Sequence, residues 1–585
     1  MLKVLKYLTK QQWGEIVLAA IFVVVMVFFD LTLPDYMSNI TTLVETPGSE
    51  MSEIIEQGLL MLGCAIGSMI ASCIVAYLAA KVAAGLSRTL RSMVFEKANE
   101  LSKGDVSRFS SSSLVTRTTN DITQIQTLIV MGLQAIVKAP VMSVWAVAKI
   151  WGKGWQWSVA LLVAVIVVVS MLVYTQIVAV PRFRSIQKLT DNLNRLCREH
   201  LVGIRPVHAY NAESYEQERF SAANDEITNT NLVAQNAMAI MNPGMTLVNS
   251  GLTLAVYWLG AAMIASVGAT DKLTIFSDMV VFSNYAMNVI MAFLMLNMVF
   301  VLLPRAQVSA NRIMELVETD SSVTDGAGAE PADADRGAVE FKDVTFTYPD
   351  GGARVLKHVS FKANPGEFVA IIGATGSGKT TLVQLIDRLY DATDGQVLVD
   401  GVDVKNYKLE DLHNRIGYVP QTAQLFTGTV DSNIKMGKSC AEVDDEGVKR
   451  ALDISQSTSF VNDLGGVEAP IDQGGRNVSG GQRQRLAIAR TVARKPETII
   501  FDDSFSALDY ATDRALRSDL QTKCAGTTRI VVAQRIGTIR DADRIIVLDR
   551  GRVVGQGTHD ELMETCDTYR EIAESQLSKE ELENA

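Results

Sequence analysis

The sequence predicts a two-part chain: an all-α domain of six membrane spans, followed by an α/β domain built on a glycine-rich loop. Three observations carry that prediction. Apolar residues make up 48% of the 585, and before about residue 305 they fall in several long runs, each about the ~20 residues that crossing a bilayer takes. Beyond about residue 338 short strands alternate with helical stretches, as in a mixed α/β globular domain. There, Gly373-Ala374-Thr375-Gly376-Ser377-Gly378-Lys379-Thr380, with Thr381 following, comes straight after the apolar run Phe368–Ile372 and opens the periodic segment Leu382–Ile386. A chain this long exceeds one core, so at least two domains are expected.

At the N-terminus, MLKVLKYLTKQQWGEI is basic and amphipathic, and no small-residue cleavage site follows its apolar run. It reads as an interfacial lead-in helix and a retained first span. Six segments, roughly 15–38, 55–84, 126–151, 156–180, 235–264 and 273–303, are apolar enough to span. Lys3, Lys6 and Lys10 precede the first. Arg88, Arg91, Lys97, Lys103, Arg108 and Arg117 lie between the second and third, and Arg182, Arg184, Lys188, Arg195, Arg198, Arg205 and Arg219 between the fourth and fifth. Thr41–Ser52 carries no basic residue. Positive charge stays on the cytoplasmic side, so both termini are expected there. Lys149 and Lys153, in a short outer loop, run against this bias and are outnumbered. Both long basic regions look helical, so spans two to five should continue beyond the bilayer.

Within the spans, Asp30, Lys138, Asp278, Asn284, Asn288 and Asn297 are costly in lipid and should face a water-filled path or another helix. Lys138, just before Pro140, together with Asn284 and Asn288, forms the candidate substrate path. Met287, Met291, Met295 and Met298 lie nearby and suit a loosely selective cavity. Helix-to-helix packing explains the same residues equally well.

Residues 1–317 are therefore assigned to the membrane domain and 339–585 to the second domain. The small, acidic stretch 318–338 between them reads as a flexible tether. The six cysteines (Cys64, Cys73, Cys197, Cys440, Cys524 and Cys566) show no metal-ligand spacing and read as reduced, small apolar residues. With a net charge of −11 and no basic tract interleaved with aromatics, a nucleic-acid partner is not expected.

The glycine loop stands between a strand and a helix, the context in which backbone N–H groups and a helix N-terminus cradle a polyphosphate. Lys379 can reach the terminal phosphates and Thr380 can ligate Mg²⁺. Asp502 ends the run Thr498–Phe501, a strand delivering a carboxylate toward the metal, with Asp503 next. Gln421, in Tyr418-Val419-Pro420-Gln421, can reach the metal or the attacking water. Val478-Ser479-Gly480-Gly481-Gln482 precedes a helix beginning near Arg483 and offers a second phosphate-binding element, suited to a nucleotide held by another subunit. Tyr348 offers a ring for stacking on adenine. Bland readings exist for each: Tyr348 as a packed strand aromatic, Gln421 as a turn residue, Asp503 and Asp509 as helix caps.

In this order and spacing the motifs resemble an ABC transporter of the exporter type, with one membrane domain fused to one nucleotide-binding domain. The resemblance covers nearly the whole chain. It implies that Gly373–Thr380 is the Walker A loop, Thr498–Asp502 Walker B and Gln421 the Q-loop. Val478–Gln482 is then the signature, Ser506-Ala507-Leu508-Asp509 the D-loop and Tyr348 the adenine-stacking aromatic. Thr116–Asp121 is similar to the family's first intracellular loop, and Leu201–Arg205 through Phe220 to its second. Those loops normally carry the helices that dock on the ATPase domains.

Two positions depart from the family pattern. Where it has a glutamate after the Walker B aspartate, this chain has Asp503; where it has the switch histidine, this chain has Gln534. A shorter carboxylate sits back by about 1.5 Å, and base catalysis responds to displacements on the order of 1 Å. Glutamine cannot carry histidine's charge or exchange its proton. The signature keeps all but the usual leucine, replaced by Val478. The resemblance therefore implies the degenerate-site subunit of a bacterial heterodimeric multidrug exporter. Its own ATP and Mg²⁺ (Thr380, Gln421, Asp502) would turn over slowly, while Ser479 and its glycines complete a partner's site. The expected function is ATP-driven export of a small amphipathic drug or lipid, with the ATPase domain in the cytoplasm. A homodimeric exporter, an exporter-shaped importer (for example of a siderophore) and an ATP-gated channel are the alternatives.

Overall fold

The computed structural model describes residues 1–46, 48–151, 154–265, 269–329, 335–349, 351–437 and 443–576. They form two compact units: Met1–Lys97 with Ser112–Glu318, and Ala98–Ser111 with Thr319–Ala585.

Among the described residues eleven α-helices precede the first strand: α1 (Leu2–Leu5), α2 (Lys10–Glu45), α3 (Met51–Glu100), α4 (Lys103–Arg108), α5 (Ser111–Thr116), α6 (Ile122–Ile150), α7 (Trp155–Val202), α8 (Ile204–Ala209), α9 (Glu213–Ala239), α10 (Met241–Ala265) and α11 (Ala269–Val317). A capping box starts α2: Thr9 Oγ1 accepts from the Gln12 amide, and Gln12 Oε1 accepts from the Thr9 amide. Among the described residues six stretches are long and apolar enough to span a membrane: Lys10–Val44, Met51–Glu100, Ser111–Ile150, Trp155–Val202, Glu213–Ala265 and Lys272–Leu296. They coincide with the six expected segments. The second to fifth are 40 to 53 residues long; at 1.5 Å per residue that is about twice a ~30 Å hydrocarbon core, so they extend beyond it.

The first unit is held by an apolar centre in which the Trp157 and Phe282 rings lie 5.6 Å apart and Trp157 Nε1 donates to the Val256 carbonyl. Charged groups within the spans find one another. Lys138 Nζ lies 3.1 Å from Asp30 Oδ2, and Ser68 donates to the other Asp30 oxygen at 2.5 Å. Lys149 Nζ lies 2.6 Å from Asp35, whose second oxygen accepts from the buried Tyr285 hydroxyl. These pairs tie α2 to α3, α6 and α11. Leaving any of the charges alone in lipid would be expensive, which is why they pair. Asn284 bonds back to the Val280 carbonyl and is exposed, as are Met287, Met291 and Met298 on the same helix. Lys153 and Cys440 lie outside the described residues, as does the side chain of Asn297.

The family's docking role was expected near Thr116–Asp121. Arg117–Asp121 instead forms a π-helical turn that clamps α11: Arg117 bonds Glu315 and the Arg312 carbonyl, and Ser309 donates to Asp121. The segment that joins the second unit is 98–111. Asp105 accepts from the Ser322 amide at 2.8 Å, the Ser102 amide donates to Ser321, and Gly104 sits against the Tyr390 ring, where a Cβ would come within 3.0 Å.

The second unit carries two main sheets. Strands β1 (Val339–Phe346), β2 (Leu356–Ala363), β4 (Asp394–Val399) and β5 (Val402–Asp403) form an antiparallel sheet in the order β2-β1-β4-β5; β3 (Phe368–Gly373) lies in the other. That second sheet runs β12-β11-β3-β10-β9-β6, with β6 (Ile416–Val419), β9 (Thr498–Asp502), β10 (Thr528–Val532), β11 (Arg544–Asp549) and β12 (Arg552–Gly557). It is parallel from β11 to β6, with β12 an antiparallel edge. A short pair, β7 (Gly428–Thr429) and β8 (Pro470–Ile471), stands apart. The helices are α12 (Lys379–Ile386), α13 (Leu409–Arg415), α14 (Val430–Ile434), α15 (Asp445–Ile454), α16 (Thr458–Asp463), α17 (Gly480–Ala493), α18 (Tyr510–Lys523), α19 (Ile536–Ile539), α20 (His559–Thr565) and α21 (Asp567–Gln576).

The expected flexible tether is not loose over its described part. Gly326 N donates to the Tyr407 carbonyl and Gly328 N to that of Asn406, while Asp325 accepts from the Leu409 amide. A Cβ on Gly326 would stand 2.4 Å from the Asn406 backbone, so glycine is what permits the approach. Val323 is buried beside it. Residues 330–334 lie outside the description.

Candidate nucleotide-binding site

Strand register assembles this site. In the parallel sheet Val532 of β10 is level with Ile371 of β3 and with Asp502 of β9. The carboxyl ends of three adjacent strands thus deliver the glycine loop, Asp502-Asp503 and Ala533-Gln534 to one edge. Open α/β sheets bind ligands at that edge.

The loop from Gly373 leads into α12, whose first residue is Lys379. Gly376 and Gly378 have φ of 83° and 104°, the left-handed region that glycine enters freely. At Gly378 a Cβ would press Leu356 at 2.8 Å, whereas at Gly376 it would meet nothing within 4 Å. Gly373 needs its bare Cα for a different reason: a Cβ would lie 2.1 Å from the Leu548 carbonyl. Lys379 Nζ folds back onto the Gly373 and Ala374 carbonyls at 2.7 and 2.9 Å. Burial lowers its pKa, opposed by Asp503 and Asp502. Ser377 Oγ is buried with no hydrogen-bond partner. An orphaned hydroxyl and an under-solvated ammonium at the N-terminus of α12 together suit an anionic polyphosphate.

Thr380 Oγ1 donates to Asp502 Oδ1 at 3.0 Å, and the Tyr418 hydroxyl donates to Asp502 Oδ2, also at 3.0 Å. Burial pushes the Asp502 carboxyl up and, beside that carboxylate, pushes the Tyr418 phenol up as well. A hydroxyl and a buried carboxylate already in contact are a donor set that a hard divalent cation takes. Tyr418 was not among the residues picked out as functional. Its place in a short strand just before Gln421 was the available signal; its bond to Asp502 depends on β6 lying beside β9.

Asp503 has a left-handed backbone, φ 50°, and is 8% exposed. Its Oδ2 accepts from two amides: Gln534 Nε2 at 2.8 Å and Gln421 Nε2 at 3.1 Å. Burial raises its pKa, and those two bonds with the Lys379 charge oppose the rise. The three positions, separated by 82 and 31 residues, therefore converge on one oxygen.

Tyr348 is half-buried. Its hydroxyl bonds Thr381 Oγ1 at 2.8 Å, and its ring stands edge-on to Phe346 and Tyr390. Val478 is buried, and Ser479 is the N-cap of α17, its hydroxyl accepting from the Gln482 amide while Gln482 Oε1 accepts from the Ser479 amide. Gly480 is exposed and Gly481 half-buried at that N-terminus, and a Cβ on Gly481 would stand 3.2 Å from the Ala507 carbonyl. Signature and D-loop residues thus touch within the chain. Ser506 donates to the Asp503 carbonyl, the Leu508 amide bonds Phe505, and Asp509 caps α18 by accepting from the Thr512 amide.

Comparison with known proteins agrees with this geometry. Residues 15–293 match the ABC transporter transmembrane region and residues 356–506 the ABC transporter family proper. An uncharacterized ABC transporter ATP-binding protein of Mycobacterium tuberculosis is 39% identical over 538 residues, 90% of each chain. One of Bacillus subtilis is 34% identical over 526 residues, 89% of this chain and 90% of the relative. An ATP-dependent lipid A-core flippase of Aromatoleum aromaticum is 30% identical over 511 residues, 86% and 82% of the two chains. A bacterial Atm1-family ABC exporter solved with ATP bound superposes with a TM-score of 0.78 at 24% identity, covering 97% of this chain and 99% of that one. The chain therefore belongs to the ABC transporters, as a half-transporter of the exporter type in which a multi-pass membrane domain is fused to an ATPase domain coupled to transport.

Proposed function

We propose that this chain is the slow-site half of a heterodimeric exporter in the cell membrane, with both termini and the ATPase domain in the cytoplasm. The observation that carries this reading is the double amide hold on Asp503. A carboxylate that is to orient water must offer a free oxygen toward the γ-phosphate. Here Gln534 and Gln421 together pin the carboxylate by Oδ2, and with a side chain a methylene shorter than the family's glutamate the remaining oxygen is held back from the γ-phosphate. Neither change touches the glycine loop, Lys379 or Asp502, so ATP binding is retained while its hydrolysis slows.

In this reading Thr380, Asp502 and Gln421 hold Mg²⁺, and Tyr348 stacks on adenine. The cation, when bound, draws charge from the β- and γ-phosphates. The chain's own residues position the nucleotide: Lys379 leaves the loop carbonyls for the phosphates, and Ser377 Oγ gains the partner it lacks. Ser479, Gly480 and Gly481 close over ATP held by a second, competent half-transporter, and hydrolysis there resets the cycle. Segment 98–111 and the exposed tip around α8 carry domain closure to the spans. The exposed Asn284, the half-buried Asn288 and the methionine stripe of α11 line the path of a small amphipathic drug or lipid. Lys138 reaches that path only when its pair with Asp30 opens. The lipid class draws support from the relative named as a lipid A-core flippase.

The test is to co-express the chain with a half-transporter of the same source that carries the glutamate and histidine this chain lacks, and to alter Lys379 in one and the corresponding Walker lysine in the other. Loss of transport on altering only the partner, with partial activity kept in Lys379→Ala, supports the assignment. Equal loss from both, or full-rate ATP hydrolysis by this chain alone, overturns it.

A further inference from the structure

One cavity takes no part in the chemistry above. A cleft of about 680 Å³ opens between α1, the start of α2, α3, α6 and the last part of α11, within the ~300–1,000 Å³ of typical small-molecule sites. Its long wall is apolar: Ile129, Leu133 and Ile136 of α6 face Leu303 of α11. Its other end is polar and consists almost wholly of donors. Gln307 is spent, since its Oε1 accepts from the chain's amino group and its Nε2 donates to Asn311 Oδ1, both at 2.8 Å. That leaves Asn311 Nδ2 and the indole N–H of Trp13, for which no acceptor is found among the described residues. No carboxylate lines the cleft. Lys3 stands at its rim, bonded to Glu318 outside the lining.

We propose that this cleft holds one anionic phospholipid, with its phosphate on Asn311, Trp13 and Lys3 and one acyl chain along α6 and Leu303. Open donors beside apolar walls suit an acceptor-rich head on an apolar tail, and because Trp13 and Asn311 are both exposed, a headgroup can reach them from the bilayer. The source is the bilayer. Ile136 and Trp13 are 53% and 48% exposed on helices that span or border the membrane, and an indole in such a place marks the interface. The sign is set by Lys3, Lys6 and Lys10 leading into the first span, since juxtamembrane basic residues attract anionic headgroups. A lipid seated here touches α1, α6 and α11 together and braces the lead-in helix against the last part of α11.

The test uses the full chain in nanodiscs of phosphatidylcholine and phosphatidylglycerol, released into the gas phase for native mass spectrometry. One phosphatidylglycerol per chain should survive delipidation. Asn311→Asp, which sets a carboxylate against the phosphate, and Ile136→Trp, which fills the tail channel, should each reduce that retention about tenfold. ATP binding is the folding control and should be unchanged in both. A second readout is quenching of Trp13 by brominated-chain phosphatidylglycerol, taken as the difference between wild type and Trp13→Phe; it should exceed that by brominated phosphatidylcholine several-fold. Equal retention of the two lipids, retention untouched by both variants, or displacement of the lipid by a drug-type amphiphile at transport concentrations would each overturn the proposal. Nanodiscs expose both leaflets, so the result does not depend on orientation, which protease access to the ATPase domain in sealed vesicles reads separately.

Discussion

Restoring a glutamate at position 503 should not by itself restore hydrolysis, and the reason lies in Gln534. Asp503 Oδ2 accepts from Gln534 at 2.8 Å and from Gln421 at 3.1 Å. A hydrogen bond to a charged group is worth about 1.5–3 kcal/mol, so the two together hold the carboxylate by roughly 3–6 kcal/mol. Asp503→Glu advances the carboxylate by ~1.5 Å, one carbon–carbon bond, but leaves both amides within reach of it. Gln534→His alone removes one amide and leaves the short side chain. A positioned base contributes about 10²–10⁴-fold. Each single substitution should therefore raise phosphate release less than about threefold, and the double substitution about 10²-fold or more. The excess over additivity should exceed about 1.4 kcal/mol, as expected for residues sharing one hydrogen bond network. The assay is phosphate release by the purified full chain in nanodiscs at saturating Mg-ATP, where only its own sites contribute. A wild-type rate matching the double variant, or full recovery from Asp503→Glu alone, would refute the reasoning.

Further expectations concern the same site and the membrane pairs. Tyr418→Phe removes a hydroxyl bond to Asp502 worth about 1–2 kcal/mol; the Mg²⁺ concentration giving half-maximal ATP binding should rise about 5- to 30-fold, with binding in EDTA unaffected. Asp502 and Asp503 both have pKa values raised by burial, so the folded chain without nucleotide binds protons more tightly than the unfolded one. Their contribution favours folding below the ordinary carboxylate value near 4 and is lost as pH climbs through the raised values. Mg-ATP offsets that loss, so its gain in Tm should be larger at neutral pH than near pH 5, and Asp502→Asn should flatten the difference. In the spans, Asp30→Asn or Lys138→Met strands one half-buried charge and should lower stability by about 2 kcal/mol, less than the ~3–5 of a fully buried pair. The double substitution should recover most of it in thermal unfolding in detergent; equal loss in singles and double would count against the pairing.

Much of the architecture could be read from the sequence because its determinants are local. Hydropathy runs located all six spans, and a glycine loop between an apolar run and a helix located the phosphate cradle. What could not be read arises from contacts between distant segments. Lys138 meets Asp30 across 108 residues, so the sequence offered a lone lysine where the fold has an ion pair. Asp503 and Gln534 stood out one by one, but their convergence with Gln421 on a single oxygen depends on the register of β9 and β10. Thr116–Asp121 resembles the family's first intracellular loop, yet it is 98–111 that belongs with the second unit; the Ser102 cap and Gly104, where a Cβ would crowd the Tyr390 ring, are its local signals. The acidic linker read as loose because it lacks a periodic apolar face, yet its bonds to Asn406 and Tyr407 are made by backbone, which composition does not reveal.

The most direct measurement is the state of the nucleotide retained by this chain after many turnovers of the assembled transporter. The complex is cycled with Mg-ATP, stripped rapidly of free nucleotide, quenched in acid and analysed by chromatography. Slow hydrolysis at the site built on Lys379, Asp502 and Asp503 predicts about one intact ATP kept per copy of this chain, lost on Lys379→Ala. Recovery of ADP alone, at a rate matching the overall turnover, would contradict it.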